Sequence, residues 1–193
     1  LKKNIKAKNV KVVHNYFPKF TGMKKRKKIY NVFFIGRLVP DKDPVFFTKN
    51  CISLAKKINF NINIVGKGQC LNEINKICSN SNKKVKIYGY IENGLKKLNK
   101  KIDILCITSK FDGTPNVLGE AVSFKIPCLA PRNVGLSNLI LSNGKSGYLY
   151  EPNSDESFQN NLYKMLNNYN LAIMKSKKAH KNLDKFNIKN TLG

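Results

Sequence analysis

Short apolar runs alternate with longer amphipathic segments along most of the chain. The run Val32-Phe-Phe-Ile35 is continuous, which is typical of a strand buried on both faces of a parallel sheet. Runs of this kind predict strands at 32–35, 62–65, 85–88, 102–107, 127–130 and 147–150. The spacing of apolar residues between them predicts helices at 45–58, 70–79, 95–99, from 114 onward, and at 135–141, 155–169 and 171–186.

The alternation of strands with helices, and the glycines at the strand ends, predict an α/β fold with a doubly wound parallel sheet, which is Rossmann-like. A chain of 193 residues is one domain by the usual size range. We place that domain at 31–169. Residues 1–30, with a short strand at 10–13, are predicted to be a linker, and 170–193 to be a basic helix and tail.

The clearest chemical signal follows the strand predicted at 102–107. Thr114 is a good N-cap and Pro115 suits the first helical position, so a helix is predicted to begin there. The amides of its first turn lack partners within the helix, and together with the helix dipole they attract a phosphate. These amides belong to Asn116, Val117 and Leu118.

Two carboxylates flank this helix start. Asp112 stands just before the helix, and Glu120 lies one turn beyond Asn116 on the same face. Amides suit a diphosphate and carboxylates suit hydroxyl groups, so the combination favours a sugar nucleotide as the ligand.

Other polar turns also follow predicted strands. Ligands of a doubly wound sheet bind outside the carboxyl ends of the strands, so these turns are predicted to lie around one site. They are Gly36-Arg37, Gly66-Lys67-Gly68, Gly89-Tyr90 and Asp112-Gly113.

The stretch from Asp112 to Glu120 has an acidic residue, seven intervening residues and a Glu. It resembles the E-x7-E signature of retaining GT-B glycosyltransferases, in the glycosyltransferase group 1 (family 4) class. Gly36-Arg37-Leu38 followed by Lys42 resembles the G-R-L-x-x-x-K of the same family. Asp112 departs from the pattern because it replaces the usual Glu and is one methylene shorter.

The resemblance implies the carboxyl-terminal, donor-binding half of such an enzyme, with the acceptor half missing. It implies that Arg37 and Lys42 hold the diphosphate of a UDP- or GDP-sugar. Asp112 would hold hydroxyls of the transferred sugar, and Glu120 the ribose hydroxyls. Gly66 and Gly68 would allow close approach to the donor. Tyr90 or Ile91 would line the nucleobase site, with ordinary packing as the alternative for both.

The implied reaction transfers a hexose, with retained configuration, to a polysaccharide or glycolipid acceptor. No cofactor and no essential metal are expected, and the half is expected to be inactive alone. Asp41-Lys42-Asp43 spells a D-x-D string, which binds a divalent cation in another glycosyltransferase class, so a metal here is a weaker alternative. Two further alternatives are an inactive nucleotide-sugar-binding module in a glycan-assembly complex and a UDP-sugar epimerase of the same fold.

The formal net charge is +25, mostly from lysine. One interpretation of this charge is a compositional bias towards lysine. Another is that the charge attracts the protein to an anionic membrane surface or to a polyanionic acceptor. No recognition motif for DNA or RNA accompanies the charge, so specific nucleic-acid binding is not expected. Five cysteines without a C-x-x-C pair support neither a disulfide framework nor a zinc site. The expected location is cytoplasmic, with peripheral attachment to the inner membrane face as an option.

Overall fold

A computed structural model describes residues 29–83, 85–113 and 116–183. Within these ranges the chain forms six strands, which are β1 (Asn31–Ile35), β2 (Asn61–Val65), β3 (Val85–Ile87), β4 (Ile104–Cys106), β5 (Cys128–Pro131) and β6 (Tyr148–Tyr150). The helices are α1 (Pro44–Leu54), α2 (Leu71–Ser79), α3 (Gly94–Leu98), α4 (Asn116–Ser123), α5 (Ser137–Ile140), α6 (Asp155–Asn167) and α7 (Tyr169–Asn182). Short 3₁₀ turns occupy Pro40–Lys42 and Ser142–Gly144.

The strands form one parallel sheet in the order β3-β2-β1-β4-β5-β6. β1 therefore lies between β2 and β4, and the direction in which the chain adds strands reverses beside it. This reversal is the switch point at which doubly wound sheets open a crevice for ligands. The predicted fold class is confirmed.

Apolar side chains cover both faces of the sheet. On one face, Phe34 and Ile64 pack with Phe47 of α1 and Phe158 of α6. On the other face, a second cluster contains Phe33, Leu105, Leu118, Val122 and Leu149. The continuous apolar runs in the sequence reflect this burial from two sides.

Helix α7 joins the two faces by crossing the edge at which the strands begin. Its Tyr169 hydroxyl donates to the carbonyl oxygen of Asp103, 3.2 Å away and just before β4. Its Ser176 hydroxyl lies 2.9 Å from the carbonyl oxygen of Lys125, shortly before β5. We call this edge, formed by the turns that lead into the strands together with α7, the amino edge.

Several predicted boundaries differ from the structure. The helix predicted to end at about residue 169 ends at Asn167, and the Asn168 side chain caps α7 by accepting from the Leu171 amide at 3.2 Å. The helix predicted at 45–58 ends at Leu54, after which the backbone turns. The predicted strand at 10–13, the Thr114-Pro115 cap and the end of the last helix beyond 183 lie outside the described residues.

None of the helices in the described ranges has the length and apolar content that a membrane crossing requires.

Candidate functional site

A cavity of about 300 Å³ opens at the carboxyl ends of β1 and β4, at the switch point of the sheet. The end of β1 contributes Gly36 and Arg37, and the 3₁₀ turn after it contributes Lys42. Further lining comes from the segment after β4 and from the start of α4, by way of Thr108, Ser109, Asp112, Asn116 and Val117. The structure thus brings together six of the residues that the sequence predicted for a donor site.

Two loops are tied together beside the cavity. The Thr108 hydroxyl lies 2.9 Å from the carbonyl oxygens of both Lys42 and Asp43. The Lys110 amide donates to the carbonyl oxygen of Asp41 at 2.8 Å. These contacts hold the turn after β1 against the segment after β4, although about 70 residues separate them in sequence.

The hydrogen bonds between the two loops place Lys42 next to Asp112. The Lys42 ammonium donates to Asp112 Oδ2, and the two side chains are 26% and 13% exposed. Ser109 Oγ lies 3.4 Å from the same oxygen. The cavity therefore contains a paired cation and carboxylate that water screens only in part. Exposed Arg37 adds a second cation at the rim and has no ion pair with another described residue.

The Asp41-Lys42-Asp43 string does not form a cluster of metal ligands in the described ranges. Asp43 has a left-handed backbone (φ 46°), and its carboxylate caps α1 by accepting from the Phe46 amide at 3.1 Å. The other Asp43 oxygen lies 3.0 Å from Lys110 Nζ. No group of three or more His, Cys, Asp or Glu residues suited to a metal ion occurs in the part of the chain that the structure describes.

Helix α4 begins at Asn116, beside the cavity. The Leu118 side chain is fully buried in the core, so that residue can offer a ligand its backbone alone. Gly113 is exposed, and a Cβ there would meet no atom within 4 Å. Glu120 is exposed one turn further along α4 and does not line the cavity.

Gly66, Gly68 and Tyr90 lie at the same edge of the sheet but outside the cavity lining. A Cβ at Gly66 would lie 1.9 Å from the carbonyl oxygen of Gly36, and one at Gly68 would lie 2.4 Å from that of Leu38. Both glycines therefore lie in close contact with the backbone that follows β1. Tyr90 is 64% exposed, with Lys67 Nζ 5.1 Å from its ring centroid.

The sequence reasoning did not assign Thr108 and Ser109 to the site. Both are buried, with 3% and 5% of their surface exposed, and both line the cavity. The signal that could have found them is a pair of polar residues directly after a buried apolar strand, at the edge where ligands bind.

Neighbouring protein groups partly desolvate the Glu120 carboxylate and raise its pKa above the ordinary value. The folded state therefore favours the protonated form, and its contribution to stability is present at low pH and lost as pH rises through the raised pKa. We expect Glu120→Gln to be more stabilising, relative to the parent chain, at pH 7 than at pH 4. Urea unfolding at both pH values measures this difference.

Glu92→Gln is the control for that comparison, because it removes an exposed carboxylate from the loop after β3. A Glu120→Gln effect that is equal at the two pH values would contradict the expected desolvation.

Comparison with known proteins shows which family this chain belongs to. The family model for glycosyl transferases group 1 matches residues 18–182. An Escherichia coli relative, UDP-Gal:alpha-D-GlcNAc-diphosphoundecaprenol alpha-1,3-galactosyltransferase, is 28% identical over 180 residues, which cover 88% of this chain and 44% of the relative.

A second relative is the Campylobacter jejuni GalNAc-alpha-(1->4)-GalNAc-alpha-(1->3)-diNAcBac-PP-undecaprenol alpha-1,4-N-acetyl-D-galactosaminyltransferase. It is 30% identical over 141 residues, which cover 72% of this chain and 39% of the relative. The chain therefore spans less than half the length of either relative.

Solved structures share the fold. S. aureus TarM, in a complex with fondaparinux, alpha-GlcNAc-glycerol and UDP, superposes with a TM-score of 0.86 at 23% identity, covering 99% of this chain and 39% of TarM. The carboxyl-terminal domain of a glycosyl transferase group 1 protein from Francisella tularensis superposes with a TM-score of 0.73 at 21% identity, covering 82% of this chain and 87% of that domain. The chain belongs to the glycosyl transferases group 1 family, and its sheet has the Rossmann-like fold of GT-B glycosyltransferases.

Proposed function

We propose that this chain is the donor-binding half of a retaining glycosyltransferase that uses a UDP- or GDP-sugar and no essential metal. The observation that carries the proposal is the cavity at the switch point, where Lys42, Arg37 and the start of α4 surround one space. Two cations and a helix amino terminus suit a diphosphate. The Asp112 carboxylate, which also lines the cavity, can accept from sugar hydroxyls.

The proposed chemistry gives each group one task. The bond between the anomeric carbon and the diphosphate breaks as the acceptor hydroxyl attacks from the same face, and the acceptor proton leaves with the departing phosphate. Arg37 and Lys42 stabilise the negative charge that develops on the diphosphate. Asp112 orients the transferred sugar, and Glu120 accepts from the ribose hydroxyls.

The relatives narrow the donor and the acceptor within this proposal. The E. coli relative is named for UDP-Gal and a diphosphoundecaprenol-linked sugar, and the C. jejuni relative for a PP-undecaprenol-linked saccharide. We therefore propose a UDP-sugar as donor and a polyprenyl-diphosphate-linked saccharide as acceptor. Because the chain spans less than half of these relatives, we expect the acceptor site to lie in the other half and expect no transfer by this chain alone.

Titration calorimetry of the 193-residue chain with UDP, GDP and ADP tests donor binding. We expect UDP to bind most tightly, equally well with and without Mg²⁺, and Glu120→Ala to weaken it by about tenfold, since that carboxylate no longer accepts from the ribose.

Glu92→Ala is the matched control, since it removes an exposed carboxylate from the same edge of the sheet. Binding that requires Mg²⁺ would contradict the metal-free donor site. Equal losses in Glu120→Ala and Glu92→Ala would remove the role proposed for Glu120.

A further inference from the structure

Charge is distributed unevenly between the two edges of the sheet. Each strand from β2 to β6 is preceded within four residues by a lysine at the amino edge, namely Lys57, Lys83, Lys101, Lys125 and Lys145. Helix α7, which crosses this edge, adds the exposed residues Lys177, Lys178 and Lys181. No ion pair joins any of these lysines to a carboxylate among the described residues.

Carboxylates are concentrated at the opposite edge. In the described ranges, Asp103 is the single carboxylate just before a strand, and it is fully buried. The remaining ones lie in the loops after the strands or within the first five residues of the helices that follow. Four of the cations near them are paired, as Lys42 with Asp112, Lys110 with Asp43, Arg132 with Glu151 and, at 3.7 Å, Lys49 with Glu73.

Neither composition nor helix dipoles account for this pattern alone. A compositional bias towards lysine adds cations to both edges and does not remove carboxylates from one. Helix carboxyl termini do favour cations, and they lie at the amino edge. That preference fades within one turn. It covers Lys57 and Lys101, each three residues beyond the end of α1 or α3, but not Lys145, five residues beyond α5, or Lys177 in the interior of α7.

Exposed apolar side chains lie among these lysines. Leu171 and Met174 are 40% and 66% exposed on α7. Spacings of three and four residues place Leu171, Met174 and Lys178 along one face of the helix. A helix with apolar residues and lysines together on its exposed face suits the boundary between lipid headgroups and acyl chains.

An open groove continues this surface between α6, α7 and the start of β6. It has a volume of about 510 Å³ and is lined by Tyr148, Tyr163, Lys164, Leu171, Lys175 and three asparagines. Tyr163 is 45% exposed, and tyrosine is enriched where membranes meet water. Lys175 donates to the carbonyl oxygen of Gly144 at 2.8 Å, which holds its ammonium at the groove.

We propose that the amino edge, with the exposed face of α7 and this groove, docks on an anionic lipid bilayer. The lysines attract acidic headgroups, while Leu171, Met174 and Tyr163 enter the interface. The donor cavity lies at the opposite edge of the sheet, so a bilayer bound here leaves that cavity uncovered. This docking does not depend on the proposed function, because it requires no nucleotide and is measured without one.

A fluorescent reporter tests the orientation. The chain contains no tryptophan, so Met174→Trp supplies a single tryptophan on the proposed surface. We expect its emission to shift to the blue with phosphatidylglycerol-rich vesicles and not with phosphatidylcholine vesicles. Phe111→Trp is the control, because Phe111 is 77% exposed in the loop that follows β4, at the other edge. No shift in Met174→Trp, or equal shifts in both variants, would overturn the proposal.

Charge removal tests the attraction. Each lysine near an anionic surface strengthens binding about fivefold, so the triple variant Lys177→Gln, Lys178→Gln and Lys181→Gln is expected to weaken vesicle binding by about 100-fold. The triple variant Lys49→Gln, Lys67→Gln and Arg132→Gln loses the same charge away from the amino edge and is expected to retain most of the binding. Equal losses of vesicle binding in the two triple variants would mean that the bilayer attracts the whole basic chain and not the amino edge. Binding to RNA without binding to vesicles would mean that the partner is a nucleic acid. Either result would overturn the proposal.

Discussion

Replacing Gly66 by Ala is expected to lower the free energy of unfolding by about 3 to 5 kcal/mol, which is a large part of the stability of a domain this size. The added Cβ would lie 1.9 Å from the Gly36 carbonyl oxygen, and φ at Gly66 is +149°, where L side chains are strained. Hydrogen bonds hold the backbone on both sides of this contact, since the Gly36 amide donates to the Val65 carbonyl oxygen at 3.0 Å and the Gly66 amide to the Gly89 carbonyl oxygen at 2.8 Å. Urea unfolding followed by circular dichroism measures the loss.

Gly89→Ala is the matched control for the close contact. Its φ is +69°, but a Cβ there would meet no atom within 4 Å, so it adds backbone strain without a clash. We expect it to cost about 1 to 2 kcal/mol. A Gly66→Ala variant no less stable than Gly89→Ala would show that the backbone after β1 can move aside.

Gly66 also shows what sequence could and could not predict. Two glycines at a strand end indicated a close approach, and the structure has one at each of them. A pattern cannot say what approaches, and here the neighbour is the backbone after β1. The assignment of Gly66 and Gly68 to the donor site stays a prediction, since the cavity lining does not include them.

The sheet itself was predictable because burial on both faces leaves a strong local pattern. Even β2, which contains a buried Asn63, was predicted from the isoleucines on either side. The Asn63 amide group donates to the Val32 carbonyl oxygen at 3.3 Å, so the polar side chain is satisfied within the sheet. Helix ends were harder, because the cap that separates α6 from α7 is an Asn168 side chain, and asparagine also occurs inside helices.

The pairing of Lys42 with Asp112 could not be predicted from local patterns. The family resemblance implied a role for each residue in donor binding. Because 70 positions separate them in the sequence, no local pattern indicates that their side chains are in contact. The contact depends on Thr108, whose hydroxyl ties the two loops together. Contacts of this kind join short polar loops, and the sequence of such a loop does not indicate which other loop it contacts.

Lys42→Ala is expected to weaken UDP binding by roughly 30- to 150-fold, or about 2 to 3 kcal/mol, because a charge-assisted hydrogen bond to the diphosphate is lost. The variant also leaves Asp112, which is 13% exposed, without its cation and facing the phosphates. Lys110→Ala is the matched control. Lys110 is likewise paired with a carboxylate, that of Asp43 at 3.0 Å, but it does not line the cavity. Titration calorimetry of both variants measures the difference.

Asp112→Asn separates a functional pair from a structural one, because the two interpretations predict opposite signs. If Lys42 binds the diphosphate, removing the carboxylate frees the ammonium and removes a repulsion, so UDP should bind several-fold more tightly. Under the proposed function, sugar transfer measured with the other half present should nevertheless fall by about 100-fold, since the sugar hydroxyls lose their acceptor. If the ion pair merely holds the two loops together, Lys42→Ala and Asp112→Asn should weaken UDP binding to a similar extent. Tighter binding of UDP by Asp112→Asn than by the parent chain is the result that we expect from the proposed function.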